Sequence, residues 1–287
     1  MIAYNPKAWF TFIFRFHKAD TLRTLFTTIL GIAVYSGIIV FIEQNILHLQ
    51  KTSRINNIGI VHTILGFVIS MLLVFRTNTA YERWWDGRKL WGQLINCTRN
   101  LAIKISAFVK EKDELKTILI AFPFALKNHL RNIASNKDEE INALATIPDF
   151  KKDHHLPLDI SALMYQKINS LNKSGELSGE QVLMISIELQ QWMEISGACE
   201  RIKNTPIPFS YSIFIKKFIF FYVMTLPLSM VFSLGYYCIP VVIFIFYVLA
   251  SMELIAEEIE NPFGVDANDL PLEEICKNVK RSVNSVM

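Results

Sequence analysis

The pattern of apolar and charged positions sets greasy stretches near both ends of the chain around a mixed middle. Residues 24–42 carry no charge, and as a helix these 19 residues reach roughly 28 Å, enough to cross a hydrocarbon core once. A second uncharged run, 55–75, lies between Arg54 and Arg76 and is interrupted only by His62. The third run, 218–252, has 35 residues without a charge. A straight helix of that length would reach roughly 52 Å against a core of about 30 Å, so it is expected to fold back as two spans. Gly235, Tyr236, Tyr237 and Pro240 mark the turn, because Gly and Pro punctuate helices and Tyr favours the lipid–water boundary. Pro227 is expected to kink the third span. The pattern predicts an all-α membrane protein with four transmembrane helices.

Orientation follows from basic residues near the span ends, which stay on the cytoplasmic side. Lys7, Arg15, Lys18 and Arg23 precede the first span, whereas Lys51 and Arg54 alone lie before the second. Arg76, Arg83, Arg88 and Lys89 follow the second span, and Lys216 and Lys217 precede the third. Both termini and the long middle region are therefore expected in the cytoplasm. That middle reads as helical, since its apolar residues recur at three and four without strand-like alternation. Ser178 with Gln181 looks like a capping box opening a helix through Leu183, Leu189, Trp192 and Ile195 to about Lys203. Another helix begins near Asp113 and carries Leu115, Ile118, Leu119 and Phe122, with Pro123 bending it. Residues 147–158, with Pro148, Pro157, His154 and His155, read as a polar loop. The two adjacent histidines are taken as solvated, because no carboxylate or cysteine sits at ligand spacing.

Composition agrees with a membrane protein. The chain is 52% hydrophobic with a mean hydropathy of +0.30, more apolar surface than a soluble globule of 287 residues needs. A formal charge of +3 argues against a nucleic-acid binder. Cys97, Cys199, Cys238 and Cys276 are far apart, which suggests neither a disulfide framework nor a zinc site; reduced thiols facing cytosol or lipid are expected. The first 23 residues lack the apolar core and cleavage site of a secretory signal, so the first run is expected to remain in the mature protein. No nucleophile–base pair or phosphate-cradling glycine loop is present, which argues against an enzyme. Glu253, Glu257, Glu258 and Glu260 read as a solvated helix face.

The second span, VHTILGFVISMLLVF over 61–75, places Phe67, Met71 and Phe75 at i, i+4 and i+8, along one side of a helix. Gly66 and Ser70 beside them are small enough for another helix to approach closely. Lipid contact or bundle packing would produce the same stripe, so it is no proof of a pore. Next comes RTNTAYERWWDGRKLW, 76–91, which reads as an interfacial belt of snorkelling Arg and anchoring Trp.

Three segments resemble the bestrophins, the bacterial branch in particular: 65–91 with Arg83, Trp84 and Trp85; TPIPFSY at 205–211; and NPFGVDANDLPL at 261–272. The resemblance covers essentially the whole chain. It implies a homopentamer with one pore on the fivefold axis, since one such helix per subunit encloses a channel only when several copies surround it. By that resemblance Phe67, Met71 and Phe75 form an apolar neck able to gate by dewetting, with Met71 a mild departure from the family's bulky aliphatic or aromatic residues. Ile207, between Pro206 and Pro208, matches a second constriction at the cytosolic exit. Asp266 and Asp269 sit where the calcium clasp of animal members has carboxylate ligands. Val265 and Ala267 replace acidic residues of that cluster, leaving fewer hard oxygens than calcium gathers, so no cofactor is expected to be required.

The expected organisation is a cytoplasmic segment at 1–23, spans one and two at 24–75, a helical cytoplasmic region at 76–217, spans three and four at 218–252 and a cytoplasmic segment at 253–287. The expected function is passage of small monovalent ions across a bacterial inner membrane, chloride in animal members and monovalent cations in some bacterial relatives. The expected partners are further copies of the chain, lipid and the permeating ions. A secondary transporter would instead show repeated halves and broken helices with midplane polar groups, and a membrane scaffold would carry no flux.

Overall fold

A computed structural model describes residues 21–46, 58–133, 138–147, 150 and 155–287. Three of the expectations fall outside them: the first 20 residues with Lys7, Arg15 and Lys18, the loop carrying Lys51 and Arg54, and Pro148 with His154. Every regular element among the described residues is helical. In chain order the α-helices are α1 (Thr21–Phe41, followed by a π-helical turn, Ile42–Ile46), α2 (Ile58–Phe108), α3 (Asp113–Arg131), α4 (Glu139–Asn142, followed by a 3-10 turn, Ala143–Thr146), α5 (Leu156–Lys173), α6 (Gly179–Asn204), α7 (Phe209–Leu234), α8 (Cys238–Glu260) and α9 (Leu272–Val286). Three stretches are long and apolar enough to cross a membrane: Thr21–Ile46, Gly59–Phe108 and Phe209–Glu260.

The third stretch doubles back. Gly235, at a positive φ of 54° that an L side chain rarely adopts, ends α7, and a single 3-10 turn leads into α8. Lys216 near the start of α7 pairs with Glu257 near the end of α8 at 2.8 Å, which requires the two helices to run antiparallel. Pro227 lies buried inside α7.

The 51-residue α2, about 76 Å long at 1.5 Å per residue, is the spine, and it serves two separate cores. Its first half buries Ile69 and Leu73 with Leu25 and Ile32 of α1, Ile215, Ile219 and Val223 of α7, and Val242 and Phe246 of α8. Tyr222 of α7 comes so close to Gly66 that an added Cβ would lie 2.8 Å from its hydroxyl, the close approach a small residue permits. The second half, from Trp91 to Ile105, enters a larger core with α3, α5, α6 and α9. There Trp192 stacks on Phe122 with ring centres 4.1 Å apart, and its indole N–H donates to Thr98 Oγ1 at 3.1 Å. α6 opens with the expected capping box: Ser178 Oγ accepts the Gln181 amide, and Gln181 Oε1 accepts the Ser178 amide. α9 turns Leu272, Ile275, Val279 and Val283 inward at helical spacing.

Two expectations are corrected here. All four cysteines are free and buried, facing neither cytosol nor lipid, and desolvation pushes the Cys97 and Cys199 thiols up to about 12. The polar loop ends by His155, because α5 begins at Leu156, where Pro157 in the first turn has no amide hydrogen to lose.

Candidate functional site

On α2 the residues at 69, 73, 76 and 80 are buried within the chain, which leaves the opposite side bare. Phe67 is 67% exposed, Met71 44% and Phe75 57%, in one row. Steps of four and three along that row lead to Thr79, Glu82 and Asp86, which are exposed and polar. The face therefore changes from apolar to polar at Arg76.

Arg76 itself turns inward. Its side chain is 1% exposed, with Nε 3.4 Å from Glu253 Oε1 and Nη2 2.8 Å from Glu260 Oε2. Glu260 Oε1 accepts the amide hydrogen of Ile207 at 2.7 Å. Ile207 is half-buried. One carboxylate thus joins the residue after Phe75 to the segment between α6 and α7. Arg83, two turns further along α2, donates Nε to the Glu260 carbonyl at 3.0 Å, Nη1 to the Thr205 carbonyl at 2.6 Å and Nη2 to the Ile202 carbonyl. A guanidinium suits this position because its donors form a rigid fork and the carbonyls at the ends of α6 and α8 carry the negative helix pole. Trp84 donates Nε1–H to the Asn268 carbonyl at 3.0 Å. Gly87 faces the same loop, where an added Cβ would stand 3.0 Å from Pro262 Cγ and 3.1 Å from the Phe263 ring.

The three segments of the resemblance, far apart along the chain, therefore meet at one junction below the apolar bundle. This revises two readings. The glutamates at the end of α8 are not simply a solvated face, since Glu253 is buried and Glu260 is the hub of the junction. The Arg and Trp residues of 76–91 are not only a belt, since Arg76, Arg83, Trp84 and Trp91 face the interior or close interhelical contacts. A spacing of seven between Glu253 and Glu260, nearly two helical turns, was the sequence signal for a shared face.

A match to the family model for bacterial and fungal bestrophins extends over residues 1–285. The chain belongs to that family. A voltage-dependent anion channel-forming protein of Nostoc is 34% identical, over 98% of this chain and 92% of its own length. One of the same description from Synechocystis is 37% identical, over 77% of this chain and 75% of its own. The crystal structure of a bacterial bestrophin homologue from Klebsiella pneumoniae superposes with a TM-score of 0.80 at 26% identity, covering 91% of this chain and 98% of that one. This bestrophin is thus a member of a membrane channel family, not an enzyme, with helices apolar enough to span a bilayer.

The acidic segment of this bestrophin is a tight loop. Asp266 is exposed, whereas Asp269 is buried with Oδ2 accepting the Asp266 amide at 2.6 Å. Burial, and secondarily the nearby Asp266 and Glu258 charges, push the Asp269 carboxyl up to about 6, against the lowering influence of that amide and of Arg131. Within this loop one carboxylate is therefore exposed and the other is already engaged by a backbone amide. Elsewhere the fold assembles something the sequence spacing had hidden. His155 is no solvated loop residue: it caps α5 and meets His129 of α3 and Glu200 of α6, with ligand atoms within 4.8 Å of one another.

Proposed function

We propose that five copies of this bestrophin surround a common axis and conduct small monovalent ions through a pore lined by α2. Phe67, Met71 and Phe75 then form three stacked apolar rings, and Ile207 forms a second constriction on the cytosolic side. α1, the first part of α2, α7 and α8 each cross the inner membrane, with both termini in the cytoplasm.

The observation that carries this reading is the bare row on α2, apolar as far as Phe75 and polar from Thr79 onward. That row is turned away from the chain's own core and continues unbroken into Thr79, Glu82 and Asp86, the arrangement that a dewetting neck above a wet vestibule requires. Ion sign is argued from two sides. The relatives' names speak for anions; the acidic residues on the continuing row speak for cations, as carboxylate rings do in cation channels. Calcium is not part of the resting assembly in this reading.

Native mass spectrometry of the detergent-purified protein is expected to give a pentamer, and planar bilayers under a potassium chloride gradient a reversal potential whose sign reveals the permeant ion. A monomer in both detergent and bilayer, or purified protein in liposomes that passes no ion, would remove the proposal. Saturating flux with counterflow would point to a carrier instead.

A further inference from the structure

Away from the pore-lining face, three cytoplasmic helices converge on a small set of donors. Glu200 Oε1 on α6 lies 2.9 Å from His155 Nε2 at the start of α5 and 3.3 Å from His129 Nε2 in the last turn of α3. The two imidazole rings are 4.4 Å apart. The side chains are about one quarter to one third exposed, open enough for an ion to enter.

We infer that His129, His155 and Glu200 form a binding site for a borderline divalent metal ion of the zinc class, which clamps α3, α5 and α6 together. Donors bonded to one zinc at 2.0–2.1 Å in a tetrahedron stand about 3.3 Å apart, close to the 2.9 and 3.3 Å that already separate Glu200 Oε1 from the two imidazole nitrogens. Two imidazoles and one carboxylate suit zinc, cobalt or nickel better than calcium or magnesium, which prefer all-oxygen cages. Water fills the fourth position.

The surroundings are those of a ligand set. Ser196 Oγ donates to Glu200 Oε1 at 3.1 Å, fixing the carboxylate from within its own helix. Lys203, the nearby cation, directs its ammonium to the His129 carbonyl at 2.9 Å and to Asn132 Oδ1 at 2.6 Å, where the C-terminal pole of α3 offsets it.

One bond must change when the ion enters. His155 Nδ1 accepts the Leu158 amide at 3.2 Å, so in the neutral ring Nε2 carries the proton and donates it to Glu200. Metal at Nε2 takes that proton's place, the proton moves to Nδ1, and the amide contact is released. Ion occupancy is thereby coupled to the cap of α5.

The test is zinc titration by calorimetry of the full-length, tag-free protein in detergent, with X-ray absorption on the loaded sample. Saturable micromolar binding of one zinc per chain is expected, with a nitrogen and oxygen shell, a zinc-dependent rise in thermal stability and no competition from calcium. H155N keeps a capping side chain and H129Q a polar one, so both variants should fold; each is expected to weaken zinc by more than the roughly 10- to 100-fold that an outer-shell change produces, as is E200Q. The assignment is overturned if the wild type shows no saturable zinc binding, if calcium competes equally, or if folded H129Q and H155N bind zinc as the wild type does. None of these outcomes depends on conduction, so the pore reading stands or falls separately.

Discussion

Glu260 Oε1 accepts the amide hydrogen of Ile207 at 2.7 Å across 53 positions of sequence. The other oxygen of the same carboxylate binds Arg76, the residue that follows Phe75 on α2. The backbone at the proposed cytosolic constriction is therefore held against the helix that carries the proposed neck, and a change at Glu260 is felt at both.

Glu260→Ala is expected to lower stability by about 3 kcal/mol, because it removes the better-placed partner of a buried guanidinium. Glu260→Gln keeps an acceptor for the Ile207 amide and should fall between the alanine variant and the wild type. Thermal unfolding in detergent ranks the three; equal midpoints would show that the junction is not held by this carboxylate.

Phe67, Met71 and Phe75 are exposed on the single chain, so alanine there should leave the subunit fold intact, and in the proposed pore it should widen the neck and raise open probability. Single-channel recording of the triple alanine variant is the measurement. Wild-type conduction in that variant would place the gate elsewhere.

Gly87→Ala sets two effects against each other. Alanine gains about 1 kcal/mol of helix propensity. Its methyl meets Pro262 and Phe263 at 3.0–3.1 Å in a packed loop, and overpacking of that kind costs about 1–3 kcal/mol, so net destabilisation is expected. Gly197→Ala in α6, with nothing within 4 Å of the new methyl, should instead stabilise by up to about 1 kcal/mol. Opposite shifts in melting temperature for the two variants would verify the packing argument.

Asp269 has a carboxyl pushed up to about 6, above the ordinary value of 3.8 that applies to the unfolded chain. A raised acid favours folding while it is protonated, so its contribution is complete below about pH 4 and is lost as pH rises to about 6. Asp269→Asn keeps an oxygen for the Asp266 amide and carries no charge. It should be more stable than the wild type at pH 7, by up to about 3 kcal/mol, with the difference closing near pH 4. Parallel stability curves for the two proteins from pH 4 to 7 would contradict the assignment.

The apolar runs, the break at Gly235, the capping box at Ser178 and the inward row of the middle helices were all legible along the chain, because each depends on neighbours within a turn or two. The positions of the second constriction and of the acidic loop came from family resemblance; periodicity alone reaches neither. Glu260 was misread as solvated since its partners lie 53 and 184 residues away.

By itself, then, the sequence determined that this protein is helical, that it has enough uncharged length to enter a bilayer, and that one side of α2 is apolar. Only the tertiary structure decided which side of α2 stays bare, which acids and arginines turn inward, and that His129, His155 and Glu200 share one corner. The reason is physical. Hydrophobic periodicity is a local property of a helix, whereas a buried ion pair or a ligand set exists only when separate helices pack close enough to exclude water around it.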